Sequence, residues 1–234
     1  MKLSIIVPVY NEEKTILQIL KKLEKLIIPS VSKEVIVVDD GSTDYTREKL
    51  KNVKLAKIIY HPKNKGKGAA VKTGIENATG DYIIIQDADL EYDPQYIKLL
   101  MKPILSGVAK VVYGTRLRRM PHLEGEEKTT RFLLHYFGNR FLSLVATVLY
   151  GQWLTDMETC YKLFPRNALK GIKINARGFE FEPEITAKLL KKGYKILEIP
   201  ISAKPRGYDE GKKLNTIRDG SKALWNLLKY RFTD

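Results

Sequence analysis

Short apolar runs rich in β-branched residues, each ending in polar groups, alternate with helix-periodic segments through the first half of the chain. This alternation restricts the fold more than any other feature. Leu3 to Tyr10 and Glu34 to Asp39 are such runs, as expected of strands buried on both faces of a parallel sheet. Between them Ile16, Leu20, Leu23 and Ile27 recur at helical spacing, with charged residues around the rest of the turn. Ala56 to Tyr60, Asp81 to Gln86 and Ala109 to Gly114 predict three further strands, separated by helices over Lys67 to Ala78 and Pro94 to Leu105. Repeated strand–helix–strand units imply right-handed crossovers and an α/β domain with a mostly parallel central sheet flanked by helices. In such sheets ligands bind beyond the carboxyl ends of the strands, so the polar residues there are the candidates for function.

The second half is less regular. A polar loop from Arg116 to Arg131 leads to a helix from Arg131 to Tyr150, a strand near Tyr161 to Phe164 and a helix near Pro183 to Lys192. A strand from Tyr194 to Ser202, a loop containing Gly207 and Gly211, and an amphipathic helix from about Thr216 complete the chain. No repeat, low-complexity linker or composition break divides it, so residues 1–234 read as one domain. Lys and Arg outnumber Asp and Glu by 41 to 27, a formal charge of +14. That excess favours anionic partners: phosphorylated small molecules, nucleic acid or an anionic membrane surface. The lone Cys160 excludes an intrachain disulfide. The first apolar run is too short for a signal-peptide core and meets Glu12 and Glu13, and no stretch approaches the length of a membrane span. The expectation is a cytoplasmic chain.

Asp87-Ala88-Asp89 follows the apolar strand directly. Two carboxylates one residue apart at a strand end present oxygen ligands to a hard cation, while a substrate phosphate completes the shell. Glu91 stands two residues further on. Mg²⁺ or Mn²⁺ held there would neutralise a diphosphate and improve it as a leaving group. The bland reading is a solvated turn, which Asp also favours. A second strand runs into Asp39-Asp40-Gly41-Ser42-Thr43-Asp44, where a carboxylate can bind a ribose or a base, or Thr43 and Asp44 can cap a helix. Asn64-Lys65-Gly66-Lys67-Gly68 opens a helix without forming a P-loop or a complete dinucleotide fingerprint. Its lysines beside a helix N-terminus would favour an anion.

These elements follow in order behind Val7-Pro8-Val9-Tyr10-Asn11-Glu12-Glu13. The ordered set resembles glycosyltransferase family 2, in its dolichyl- or polyprenyl-phosphate hexosyltransferase branch, along essentially the whole chain. The resemblance implies a GT-A, Rossmann-like fold and an inverting, metal-dependent transfer of mannose or glucose from a GDP- or UDP-hexose. Pro8, Tyr10, Glu12 and Asp40 would then contact the nucleoside, and Lys67 the donor. Asp87, Asp89 and Glu91 would serve the metal and diphosphate, with Asp89 essential to catalysis. Glu91 stands where the branch often has Gln.

Gly114-Thr115-Arg116 resembles the family's G-[S/T]-R, and Arg131 matches an arginine that binds the lipid phosphate. His135 replaces a small hydroxyl residue four positions later. Arg116, Arg131 and His135 are thus the expected acceptor site. Thr155 to Lys162 resembles an element bordering the sugar, where Asp156 would orient hydroxyls. Phe179 to Glu184 also matches, with Glu182 a candidate for sugar recognition. Arg206, Lys212 and Lys213 lie in a basic loop resembling one that closes over the donor diphosphate. From Arg131, His135, Asn139, Ser143 and Thr147 recur every fourth position as a polar stripe on an apolar helix. Most of that apolar surface is expected to be core. The remainder, beside Arg118, Arg119 and Arg140, would rest peripherally on the inner face of the cell membrane. A hydroxyl acceptor is the nearest rival, with Asp156 as its base. A basic nucleic-acid-binding domain would explain the charge but not the acidic strand ends, so no specific nucleic acid is expected.

Overall fold

A computed structural model describes residues 1–117, 130–204 and 216–233. The strands are β1 (Lys2–Val9), β2 (Ser32–Asp39), β3 (Lys57–Tyr60), β4 (Tyr82–Ile85), β5 (Val111–Thr115), β6 (Lys162–Pro165) and β7 (Ile196–Pro200). The helices are α1 (Ile16–Lys25), α2 (Thr46–Leu50), α3 (Lys67–Glu76), α4 (Tyr96–Leu105), α5 (Thr130–Tyr150), α6 (Phe181–Lys191) and α7 (Thr216–Phe232). A 3-10 turn follows β6 at Arg166–Leu169.

All seven strands join one sheet in the order β3-β2-β1-β4-β6-β5-β7. β1 pairs in parallel with β2 and β4, and β2 with β3. The sequence gives no sign that β6 runs antiparallel to both β4 and β5. Two successive reversals restore the direction, so β5 and its parallel neighbour β7 point the same way as β4. The carboxyl ends of β1, β2, β4, β5 and β7 therefore share one edge of the sheet. The amino end of β6 arrives there too, bringing the loop that precedes it.

The central strands are apolar because helices cover them. Leu3, Ile5, Ile6 and Val7 of β1 and Ile83, Ile84 and Ile85 of β4 are buried. Helix α1 contributes Ile16, Ile19, Leu20 and Leu23; beyond its end Leu26 is buried, whereas Ile27 is exposed. Helix α3 lies so close to β1 that a Cβ on Gly74 would meet Ile6 Cγ2 at 2.4 Å.

Helix α5 reverses the expected pattern. Asn139 and Ser143, members of the polar stripe, are 6% and 1% exposed. Ser143 Oγ accepts from the N–H of Met157 at 2.9 Å, and Thr147 Oγ1 accepts from the N–H of Leu154 at 3.1 Å. Ser143 and Thr147 turn inward because the loop after α5 needs hydrogen-bond partners. Leu134, Phe137, Phe141, Leu144 and Val148, spaced by three and four residues, face outward instead, Phe141 at 54% and Val148 at 75% exposure. Tyr136, Leu142 and Ala146 supply the buried apolar contacts. Helix α7 packs beside α5 and adds exposed Trp225 and Phe232. Among the described residues no helix is long and apolar enough to cross a membrane.

One substitution type should act with opposite signs in two helices. Gly74→Ala forces a methyl into Ile6 and is expected to destabilise the protein by about 1–3 kcal/mol. At Gly138 in α5 an added Cβ meets nothing within 4 Å, so Gly138→Ala should stabilise by about 0.5–1 kcal/mol through helix propensity. Urea unfolding of both variants checks the pair.

Candidate active site

The acidic loop after β4 is held from below and from the side. Gln86, fully buried, donates from Nε2 to the carbonyls of Asp87 at 3.0 Å and Tyr92 at 3.3 Å, and accepts from Tyr161 Oη at 2.6 Å. Leu90 takes a left-handed φ of 67°, which lets the N–H of Glu91 reach Asp89 Oδ1 at 3.1 Å. Asp87 turns towards Lys67, whose ammonium lies 2.9 Å from Asp87 Oδ1 and 3.0 Å from Glu182 Oε1. Burial would lower the Lys67 pKa, but the charges of Asp87 and Glu182 outweigh it and raise it well above the ordinary value.

Asp87, Asp89 and Glu91 do not form a ready cation cage. Among the described residues no group of three His, Cys, Asp or Glu side chains converges on a metal-sized site. Asp87 is shared with Lys67, and Asp89 braces its own turn. The donor set fits a hard divalent cation bound through one or two carboxylates, with substrate phosphates supplying the remaining oxygens.

Pro8, Tyr10 and Glu12 lie at the end of β1. Glu12 accepts from Thr15 Oγ1 at 2.8 Å. Asp40 is engaged within the protein. It accepts from the N–H groups of Lys65 at 3.0 Å and Gly66 at 2.7 Å, and lies 2.7 Å from His61 Nδ1. The α3 N-terminus is likewise closed to an anion. The N–H of Gly68 donates to the Gly178 carbonyl and that of Ala69 to the Arg177 carbonyl, each at 3.1 Å. Gly66, at φ 97°, and Gly68 allow this approach, since a Cβ at either would stand within 2.8 Å of a backbone oxygen. Thr43 binds Asn11 rather than capping. Asp44 accepts from the N–H of Thr46 at 3.0 Å at the start of α2.

At the end of β5, Arg116 and Asp156 are brought together. Arg116 Nε and Nη2 donate to Asp156 at 2.7 and 2.8 Å, and the Arg116 N–H adds a third bond at 2.9 Å. Burial would raise the Asp156 pKa, but Arg116 holds it below its ordinary value. An aspartate so committed is a poor proton acceptor, and much of the Arg116 fork is occupied. Glu198 of β7 fixes the same loop by accepting from the N–H groups of Thr155 and Asp156. The side chains of Arg131 and His135 lie outside the described residues, as do Arg206, Lys212 and Lys213. The chain leading to that basic loop is pinned to the acidic one: Ala203 bridges Tyr92, and the N–H of Lys204 donates to the Glu91 carbonyl at 2.9 Å. Cys160 is buried, with its thiol pKa raised well above the ordinary value by burial, so it is no nucleophile.

Sequence reasoning missed Glu158 and Lys162. Lys162 is fully buried, with its ammonium donating to the carbonyls of Met157 at 2.8 Å and of Thr159. Burial pushes its pKa down to about 8. Burial, reinforced by Glu182, pushes the Glu158 carboxyl up to about 8. A lysine inside an apolar strand was the available signal for Lys162; Glu158 lies in the Thr155 to Lys162 element, whose pattern singles out Asp156 rather than it.

Residues 4–172 match the glycosyl transferase family 2 profile. The chain is 31% identical over 221 residues to the low-salt glycan biosynthesis hexosyltransferase of Haloferax volcanii, covering 93% of this chain and 51% of that protein. It is 27% identical over 235 residues to the dolichol-phosphate mannosyltransferase of Pyrococcus furiosus, covering 98% and 64%. Among solved structures it is similar to glucosyl-3-phosphoglycerate synthase from Mycobacterium tuberculosis in complex with Mn²⁺, uridine diphosphate and phosphoglyceric acid. The TM-score is 0.75 at 20% identity, over 100% of this chain and 79% of that one. The fold is accordingly GT-A.

Glu158 sets a pH dependence with a defined sign. Its native pKa of about 8 exceeds the ordinary 4.5, so between these values the native state keeps a proton that the unfolded chain has released. This contribution makes stability fall as pH rises across that window. Glu158→Gln removes it, so the variant should gain stability relative to wild type between about pH 5 and about pH 8. Urea unfolding at both values checks this; an unchanged difference would refute the assignment.

Proposed function

The chain belongs to glycosyltransferase family 2, and from that premise we propose that it moves a hexose from a GDP- or UDP-hexose to a dolichyl or polyprenyl phosphate at a membrane surface. Mg²⁺ or Mn²⁺ is the proposed cofactor. The named relatives include hexosyltransferases, one of them a dolichol-phosphate mannosyltransferase.

The donor lies along the shared strand-end edge in this reading. Its nucleoside meets Pro8, Tyr10 and Glu12, with Asp40 holding the neighbouring loop, and its diphosphate reaches the Asp87–Asp89 loop. Asp87 and Asp89 would hold a divalent cation there, which would supply positive charge to the departing diphosphate. Lys67 holds Asp87 in place, and Arg206, Lys212 and Lys213 are the proposed further positive charges for the phosphates. The acceptor phosphate attacks the anomeric carbon, its oxygen forms the new bond, and the nucleoside diphosphate leaves with the bonding pair. A phosphate monoester carries roughly −1.5 to −2 charge at pH 7 and needs positioning more than deprotonation. Arg131, His135 and the remaining donors of Arg116 are the proposed positioning groups.

The outward apolar stripe of α5 is the observation that carries the lipid acceptor. A soluble acceptor gives no reason to expose Phe137, Phe141 and Val148 in one row. The Arg116–Asp156 pair weighs against a hydroxyl acceptor, which needs a free base.

The direct experiment supplies GDP- and UDP-hexoses with polyprenyl phosphate, the free prenol or phosphoglyceric acid. Transfer is expected to polyprenyl phosphate alone, and preferential use of either other acceptor would sink the reading. Asp89→Ala, and wild type in excess chelator, should each lose on the order of 100-fold or more in rate. Full activity in chelator would remove the metal from the mechanism.

Liposome flotation tests the membrane separately. Binding should rise with anionic lipid, weaken with salt, and fall in Phe141→Glu without loss of folding. Retention on no vesicle composition would refute peripheral attachment.

A further inference from the structure

Three buried side-chain oxygens have no hydrogen-bond partner among the described residues: Glu158 Oε1, Thr159 Oγ1 and Glu182 Oε2. Buried polar atoms are almost always paired, so a set of orphans marks a place where something outside the chain supplies the partners. These are not scattered. Glu158 and Thr159 are adjacent, and the Glu182 carboxylate is the strongest charged influence on Glu158.

The surrounding backbone is fixed while these atoms are left open. Asp156 is clamped by Arg116, and the N–H of Met157 by Ser143. The N–H of Cys160 donates to Tyr92 Oη at 3.3 Å. Lys162 spends its ammonium on the carbonyls of Met157 and Thr159 rather than on either glutamate. Glu182 has one oxygen bound to Lys67 at 3.0 Å, and Lys67 bridges onward to Asp87 at 2.9 Å. The unpaired oxygen of Glu182 is therefore one lysine away from the loop proposed to receive the donor diphosphate. What stands next to a nucleotide-sugar diphosphate is the hexose, whose hydroxyls can each donate to a carboxylate and accept from a neighbour.

We infer that Glu158 is a sugar-binding, specificity-determining residue, forming with Thr159 Oγ1 and the outer oxygen of Glu182 the floor that receives the hydroxyls of the transferred hexose. This rests on the nucleotide-sugar reading. Glu158 takes no part in bond making. It discriminates among hexoses by whether a hydroxyl reaches its carboxyl group, because a donor lacking that hydroxyl leaves the group unpaired.

The test measures binding by calorimetry with UDP-glucose and GDP-mannose, using UDP and GDP as controls, on wild type, Glu158→Gln and Thr159→Val. Wild type should bind at least one nucleotide sugar more tightly than its nucleoside diphosphate. Glu158→Gln should weaken that sugar nucleotide by about 2- to 13-fold, the loss expected for a neutral hydrogen bond. The nucleoside diphosphate should bind unchanged, and Thr159→Val should show the same pattern more weakly. Replacing the missing hydroxyl interaction from the other side, a deoxy donor should cost wild type affinity but cost Glu158→Gln little. Equal binding of the sugar nucleotide by wild type and both folded variants overturns the inference while leaving the transferase reading intact. Absence of any nucleotide binding by wild type instead overturns the reading on which it rests.

Discussion

Lys67 carries its charge to a place where it must be paired. Its ammonium lies between Asp87, on the loop after β4, and Glu182, in the first turn of α6. A buried cation stripped of its partners costs several kcal/mol, about 3–5 when one member of a buried pair is removed. The contact therefore fixes the distance between the acidic loop and α6, elements far apart in sequence. The closed N-terminus of α3 reinforces it, because Gly68 and Ala69 are bonded to the carbonyls of Gly178 and Arg177. Glu180 and Glu184 hold that partner segment in turn, accepting from the N–H groups of Gly178 and Ala176. The site is thus braced through α3, the segment before α6, and α6 itself.

A second buried pair does similar work at the other end of the site. Arg116 and Asp156 join the end of β5 to the loop before β6, and Glu198 adds β7 to the same knot. Both pairs use residues that sequence reasoning gave to ligands. Motif residues at strand ends divide here into those that build the cleft and those left to face it. The chain is basic overall, yet Asp87 and Asp89 on the loop after β4, and Glu182 across Lys67, make this edge of the site acidic. A diphosphate cannot approach such an edge without added positive charge, which is the physical reason for invoking both a cation and the basic residues Arg206, Lys212 and Lys213.

How much was legible follows from which forces are local. The apolar runs and helical periodicity of the first half depend on burial of neighbouring residues, and β1 through β5 stand where the pattern placed them. The direction of β6 is set by partners distant in sequence, β4 and β5, so its four residues could not reveal it. Asp40 looked like a ligand-binding acid because its type and position suit that role. The N–H groups that occupy it come from Lys65 and Gly66 in a later loop. The Glu158 environment is likewise assembled from α6 and β6. Site position was readable at strand ends; site chemistry depended on long-range pairing.

Helix α5 shows how the same pattern can support opposite readings. A polar stripe on an apolar helix ordinarily faces water, and the apolar remainder packs inward. Here Ser143 and Thr147 satisfy backbone N–H groups of the loop that carries Asp156, and that demand outweighs the usual preference. Once the polar stripe is committed inward, the opposite face must be the outward one. Its residues have no structural need to be apolar, because a helix surface in water tolerates Lys, Glu or Gln at equal or better propensity. The retained row of Leu134, Phe137, Phe141, Leu144 and Val148 is therefore not a by-product of packing the core. The loop fixed by the inner face borders the proposed sugar site, while the outer face is suited to an apolar medium. One helix thereby links the strand-end edge of the sheet, on its inner face, to an outward apolar row on the other.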